Sequence, residues 1–106
     1  MKRGEVWSVI LNPTKGSEQQ GVRPAVIISP DSMNSSLDTK VIIPLTTSIK
    51  EWPSRVLTEF NSSKGQAMCE QIRTVSSKRL QKKLGTLSDG EIVEILSTIS
   101  ALYGSP

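Results

Sequence analysis

The sequence predicts a mainly β protein with a C-terminal α-helix, built as a small curled antiparallel sheet or barrel that the helix caps. Three observations predict this. Short apolar segments with strand alternation recur up to about residue 75, separated by breaks rich in Gly, Pro, Asn and Ser. From Ser88 onward the apolar period changes from two to that of a helix. The 106 residues are 36% hydrophobic, which supplies one small core and not two, so residues 1–106 are expected to form a single domain.

The elements follow in order. Glu5–Leu11 (EVWSVIL) reads as a strand, with Trp7, Val9 and Leu11 on the core side and Val6, Ser8 and Ile10 on the other. Asn12-Pro13 and Gly16 break it, and a loop runs to about Val22. Arg23–Ser29 (RPAVIIS) is the second strand. Pro24 has no N–H for a ladder, so it is expected to mark a strand start or an edge. Pro30-Asp31 opens a polar stretch to about Thr39 with room for one helical turn. Lys40–Thr46 (KVIIPLT) is the third strand and Arg55–Phe60 (RVLTEF) a weaker fourth. Asn61–Gly65 is a turn, and Gln66–Val75 (QAMCEQIRTV) reads as one fifth strand. Ser88 and Glu91 fit a capping box. Ile92, Ile95, Leu96, Ile99, Leu102 and Tyr103 then form one apolar stripe, and Gly104 is a natural stop. Aromatic content of 4% makes a thin core, which favours a homodimer.

Composition excludes several kinds of chemistry. The chain has no histidine, so Ser-His-Asp and Cys-His catalysis are ruled out, as is a hydrolase built on two histidines. A single cysteine, Cys69, excludes an internal disulfide and a multi-cysteine zinc site. The N-terminus (MKRGEVW) lacks the apolar stretch of a signal peptide, and no apolar run is long enough to span a membrane, so a cytoplasmic protein is expected. The net charge of +3 is compatible with a nucleic-acid partner and equally with an ordinary protein surface.

Four places carry candidate chemistry. In the first loop, Glu18 lies between Gly16 and Gly21, and Arg23 stands at the mouth of the second strand with Pro24 fixing the backbone after it. A guanidinium so placed can offer a fork of donors to a phosphate; alternatively Glu18 and Arg23 are a surface pair. At Pro44–Ser48 (PLTTS), Thr46 and Thr47 offer hydroxyls to a phosphate oxygen, or serve as β-branched strand residues. In Cys69–Thr74 (CEQIRT), Glu70, Gln71, Arg73 and Thr74 crowd polar groups into a strand, where alternation would put Glu70 and Arg73 on opposite faces. Lys78, Arg79, Lys82 and Lys83 form a basic run, read as solvated surface or as attraction for a nucleic-acid backbone. An anion-binding arginine, hydroxyls and carboxylates, without histidine or a metal cluster, suit phosphodiester cleavage by the substrate's own 2′-hydroxyl.

The stretch RGEVWSVILNPTKGSEQQGVRPAVIIS closely resembles the N-terminal signature of the MazF/PemK toxins, the mRNA interferases of bacterial type II toxin–antitoxin systems. VIIPLTTS and EQIRTVSSKRL resemble the later blocks of that family, in the same order and at its spacing, so the resemblance covers nearly the whole chain. It implies an SH3-like small barrel with a terminal helix, a homodimer, and an endoribonuclease that cuts single-stranded mRNA without metal or other cofactor. It also implies a cognate antitoxin that covers the RNA groove, with any DNA contact made only through that antitoxin.

Carried over by residue, the resemblance makes Arg23 and Thr46 catalytic. Glu18 matches a loop glutamate, and Glu70 stands where some members carry a catalytic Asp; either is a candidate base or a positioning group. Expected RNA contacts are Lys15, Ser17, Gln19, Gln20, Thr47, Ser48, Gln71 and Arg73. There is one departure: Met68 stands where some members carry an Arg two residues before that Asp, so an acid role there is lost and Arg23 becomes the stronger candidate; Ser17 replaces a His of some members, as it does in many others. A gyrase poison of the same fold, resembling CcdB, is the first alternative; it lacks the Arg and Thr set and closes on a Trp, whereas this chain ends ALYGSP. A non-catalytic module that binds RNA or antitoxin is the second. The first loop has no aromatic residue to stack a base; Trp52, in KEWPSR, is the nearest, and equally suits a cover for the core edge.

Overall fold

The computed structural model describes residues 1–11 and 21–106. Seven strands form one curled antiparallel sheet: β1 (Glu5–Ile10), β2 (Val22–Ile27), β3 (Thr39–Thr46), β4 (Arg55–Phe60), β5 (Ser63–Met68), β6 (Arg73–Ser76) and β7 (Leu80–Thr86). Two helices accompany them, the short α1 (Asp31–Asn34) and the terminal α2 (Asp89–Tyr103). The strand order is β4-β5-β3-β2-β1-β7, and β6 pairs with the first half of β3 while β5 pairs with its end. The long β3 is the spine: it carries β2 on one edge and β6 then β5 on the other.

Both faces of this sheet are covered, which corrects the one-sided reading of β1. Trp7, Val9 and Leu11 do share a face, and pack with Ala25, Ile27 and Ile42. Val6, expected to point away from the core, is fully buried on the opposite face among Val26, Ile43, Leu45 and the helix residues Ile92 and Ile95. β1 therefore buries a residue on each face, Val6 on one and Val9 on the other.

Pro24 also sits in an inner strand, paired with Ser8. It is tolerated because the β2–β3 pairing begins only at Ala25 opposite Pro44, so Pro24 stands just outside that ladder. The segment 66–75 is not one strand. It breaks at a 3₁₀ turn, Cys69–Gln71, because β5 pairs with β4 and the end of β3, whereas β6 moves to the start of β3. Alternation therefore does not apply between Glu70 and Arg73. The β4–β5 hairpin turns in two residues, Asn61 and Ser62, both with positive φ (48° and 64°), so Ser63, Lys64 and Gly65 belong to the strand and not to the turn.

The capping box of α2 is complete. Ser88 Oγ accepts from Glu91 N at 3.2 Å, and Glu91 Oε1 accepts from Ser88 N at 2.8 Å. The second Glu91 oxygen accepts from Glu59 N at 2.7 Å, which ties the helix start to the outer strand β4. Ile92 and Ile95 are buried and Leu96 and Ile99 pack beside them, each fully buried side chain contributing roughly 1.5–3 kcal/mol. Leu102 and Tyr103, expected on the same buried stripe, are exposed in the last turn, beyond the sheet. Among the described residues no helix is long and apolar enough to cross a membrane.

Beside β2, Arg3 N donates to Asp31 Oδ1 at 2.7 Å, and that backbone bond is the main reason the Asp31 carboxyl lies below its ordinary value. Arg3 Nε donates to Ile28 O at 2.8 Å, so the N-terminal segment is clipped to the start of α1.

Candidate active site

Strand register brings the two strongest candidates together. Ala25 stands opposite Pro44, and continuing that register two residues brings Arg23 across from Thr46. Both line one cavity of about 150 Å³, with Thr47, Thr58, Ser63 and Lys64 among its other walls. The lining therefore offers two cations and four hydroxyls, and among the described residues no carboxylate. Such a set favours an anionic oxygen ligand.

Thr46 ends β3. Its Oγ1 accepts from Ser48 N at 3.1 Å, which fixes the hydroxyl and leaves its proton to donate. Gly65 on β5 lies directly against it: a Cβ there would stand 2.2 Å from Thr46 O. Only glycine lets the two backbones approach this closely. Arg23 is exposed on β2, one residue beyond Gly21–Val22, and Gly21 O accepts from Leu11 N at 2.8 Å, so the two ends of the first loop are joined at its base. Lys15, Ser17, Glu18, Gln19 and Gln20 lie outside the described residues.

Glu70 is not in this cavity. It sits in the 3₁₀ turn, where Oε1 accepts from Ser54 Oγ at 2.8 Å and Oε2 from Arg55 Nε at 3.0 Å. Arg55, which the sequence reading took only as the first residue of a strand, is the hub of this second cluster. Its side chain is 6% exposed, and its Nη1 also donates to Gln66 Oε1 at 3.2 Å and to Ser48 O at 3.3 Å. Gln66 in turn exchanges two bonds with the backbone of Lys50, at 3.0 and 2.9 Å. The loop between β3 and β4 is thereby pinned to β4 at Ser48 and to β5 at Lys50. The two clusters meet at Ser48, whose N–H serves Thr46 and whose carbonyl serves Arg55.

The other expected contacts spread out. Thr47 lines the cavity and Ser48 adjoins it. Gln71 lies in the 3₁₀ turn with its Nε2 3.7 Å from Met68 Sδ, and Arg73 opens β6 opposite Ile42; neither lines the cavity. Cys69 is buried beside Glu70, and burial, with that negative neighbour, pushes its thiol up to about 11, which keeps it neutral and unreactive. Lys64, Ser63 and Thr58 were missed from the sequence. Lys64 and Ser63 were hidden in a segment read as a turn; the Asn-Ser pair that closes the hairpin in two residues was the available signal.

A curled sheet with a terminal helix, and an arginine–threonine pair at the mouth of a cationic cavity, defines a class of small phosphate-directed β protein. Within that class the family is shown by comparison: residues 2–103 match the model of the PemK-like, MazF-like toxins of type II toxin–antitoxin systems, and the chain belongs to that family. An endoribonuclease MazF of Staphylococcus saprophyticus is 36% identical over 110 residues, covering 98% of this chain and 92% of that protein. The crystal structure of MazF from Deinococcus radiodurans superposes with a TM-score of 0.86 at 22% identity, over 99% of this chain and 97% of that one. A mycobacterial endoribonuclease solved in complex with its cognate antitoxin gives 0.85 at 22% identity, over 100% and 97%.

Proposed function

We propose that this chain, as one domain over residues 1–106, is a cytoplasmic toxin that cuts single-stranded mRNA at a short sequence, works as a homodimer and is neutralised by a cognate antitoxin. The observation that carries this is the cavity in which Arg23, Lys64 and the Thr46 hydroxyl converge with no carboxylate on its described walls. Family membership and the endoribonuclease activity of its relatives support it. An apolar groove of about 400 Å³ continues from the cavity past Gly65 to Ile49 and Leu57, and suits the segment of an antitoxin that must cover both.

The reaction follows from the donor set. The ribose 2′-hydroxyl attacks the adjacent phosphorus in line, and the bond to the 5′-oxygen breaks. The products are a 2′,3′-cyclic phosphate and a 5′-hydroxyl end. Arg23 stabilises the charge that grows on the non-bridging oxygens, with Lys64 adding to the same field. Thr46 donates its hydroxyl proton to a phosphate oxygen and so orients it. Arg23 also supplies the proton that the leaving oxygen takes up; an alkoxide is a far stronger base than a neutral guanidine, so the transfer runs downhill once the bond has broken. The ion pair of Glu70 with Arg55 favours an anchoring role for Glu70. Glu18, which lies outside the described residues, is then the remaining candidate to accept the 2′-hydroxyl proton or to position the substrate. Neither step calls for a metal ion.

The test is incubation of the purified protein with a defined RNA in EDTA, followed by end-group analysis. Fragments ending in 2′,3′-cyclic phosphate are expected. Intact RNA, or cleavage that EDTA abolishes, would sink the proposal, and supercoiling inhibition without RNA cleavage would turn it toward a gyrase poison.

A further inference from the structure

Trp52 lies in the loop between β3 and β4 and is 50% exposed, although the loop around it is fixed. The Arg55 guanidinium stacks on its ring at 4.5 Å from the centroid, and Lys50 Nζ lies 5.9 Å from it. Arg55 is itself immobilised by Glu70, Gln66 and Ser48 O, and the Lys50 backbone by Gln66, so the indole rests on a built support. The same support reaches the cavity, because Ser48 N bonds the Thr46 hydroxyl. A large aromatic ring, half exposed on the loop that leaves the cavity wall at Thr46–Thr47, offers a stacking surface.

Resting on the RNA-cleavage reading above, we propose that Trp52 is a platform on which an unpaired nucleobase flanking the scissile phosphate stacks. A base fits better than a phosphate here. Of the two cations over the ring, Arg55 is neutralised by its ion pair with Glu70, and Lys50 is followed in sequence by Glu51, so the loop carries little net charge with which to draw a backbone. Stacking on an aromatic face needs none, tolerates any base, and weakens little with salt, whereas phosphate contacts at Arg23 and Lys64 weaken steeply with it. The rigid support matters because an indole already held in place loses no rotamer freedom when the base arrives. Trp52 would hold substrate in register while the cavity holds the phosphate.

The probe is a mixed-sequence single-stranded RNA with every 2′-hydroxyl methylated, which lacks the nucleophile and stays whole. Its addition is expected to quench fluorescence in the wild-type protein and to leave the signal of Trp52→Phe, which reports Trp7 alone, nearly unchanged. Trp52→Ala is expected to bind this RNA about tenfold more weakly, by the same factor at low and high salt. Trp52→Phe keeps an aromatic face and is expected to recover most of the affinity, which separates loss of stacking from a damaged loop. Unquenched Trp52 together with unchanged affinity in Trp52→Ala overturns the platform, and so does a response to an acidic peptide with none to RNA. Cleavage of the unmodified oligonucleotide by wild-type protein is scored separately: its absence overturns the nuclease reading, while its presence with an unresponsive Trp52 overturns the platform alone.

Discussion

Two arginines stand at the two sides of the β3 end, and their surroundings could hardly differ more. Arg55 is 6% exposed, paired with Glu70, bonded to Gln66 and Ser48 O, and stacked under Trp52. Arg23 is exposed on β2 and faces a cavity walled by hydroxyls and Lys64. The same guanidinium is a strut in one place and part of a cavity wall in the other. A buried cation bonded on several sides stabilises structure; an exposed one on the wall of a cationic cavity stands where an outside anion can reach it.

The sharpest way to break this contrast is to remove each guanidinium in turn. Arg23→Ala is expected to slow RNA cleavage by about 10³-fold or more, the loss typical of a main transition-state donor, and to shift unfolding stability by no more than about 0.5 kcal/mol. Cleavage time courses and urea unfolding of the same preparation check both halves. Arg55→Ala should show the opposite balance. It leaves Glu70, whose side chain is 29% exposed, without its cation, and should cost about 1–3 kcal/mol in urea unfolding while the folded fraction still cuts RNA faster than Arg23→Ala. If Arg55→Ala proves as inactive as Arg23→Ala and just as stable as wild type, the two roles have been assigned wrongly. Thr46→Ala should slow cleavage by about tenfold, since one hydroxyl donor is lost and the field of Arg23 remains; a greater loss than that of Arg23→Ala would reverse their order.

The smallest effect concerns pH. Asp31 sits below its ordinary value when folded, so its contribution is fully present above the unfolded carboxylate range and is lost as pH falls through the lowered folded value. Asp31→Asn should flatten part of the acid-side fall in Tm and leave RNA cleavage at neutral pH unchanged. A Tm–pH profile identical to wild type would contradict the Arg3–Asp31 clip.

What was legible in the sequence was what neighbours along the chain decide. The bounds of β4 and the capping box of α2 follow from local pattern, as does the placing of Arg23 and Thr46 at strand ends. β7 was not legible. Its sequence LQKKLGT has no alternating apolar face, and only pairing with β1 makes it a strand. The break at Cys69–Gln71 was hidden for a related reason: it reflects a change of pairing partner, which leaves no mark on residue type. Arg55 and Glu70 are 15 residues apart, so their ion pair belongs to the hairpin that joins them and not to any motif. Lys64 was obscured by a turn shorter than its composition suggested.

The two outer strands have one more consequence. β4 and β7 end the sheet, and an open sheet edge invites another chain to add itself as a further strand. Glu91 occupies the Glu59 N–H on one edge, while the other carries exposed Lys82 and Lys83. Bringing two copies of β7 together would press like charges against each other. Charge on an outer strand of this kind disfavours the pairing of two bare edges.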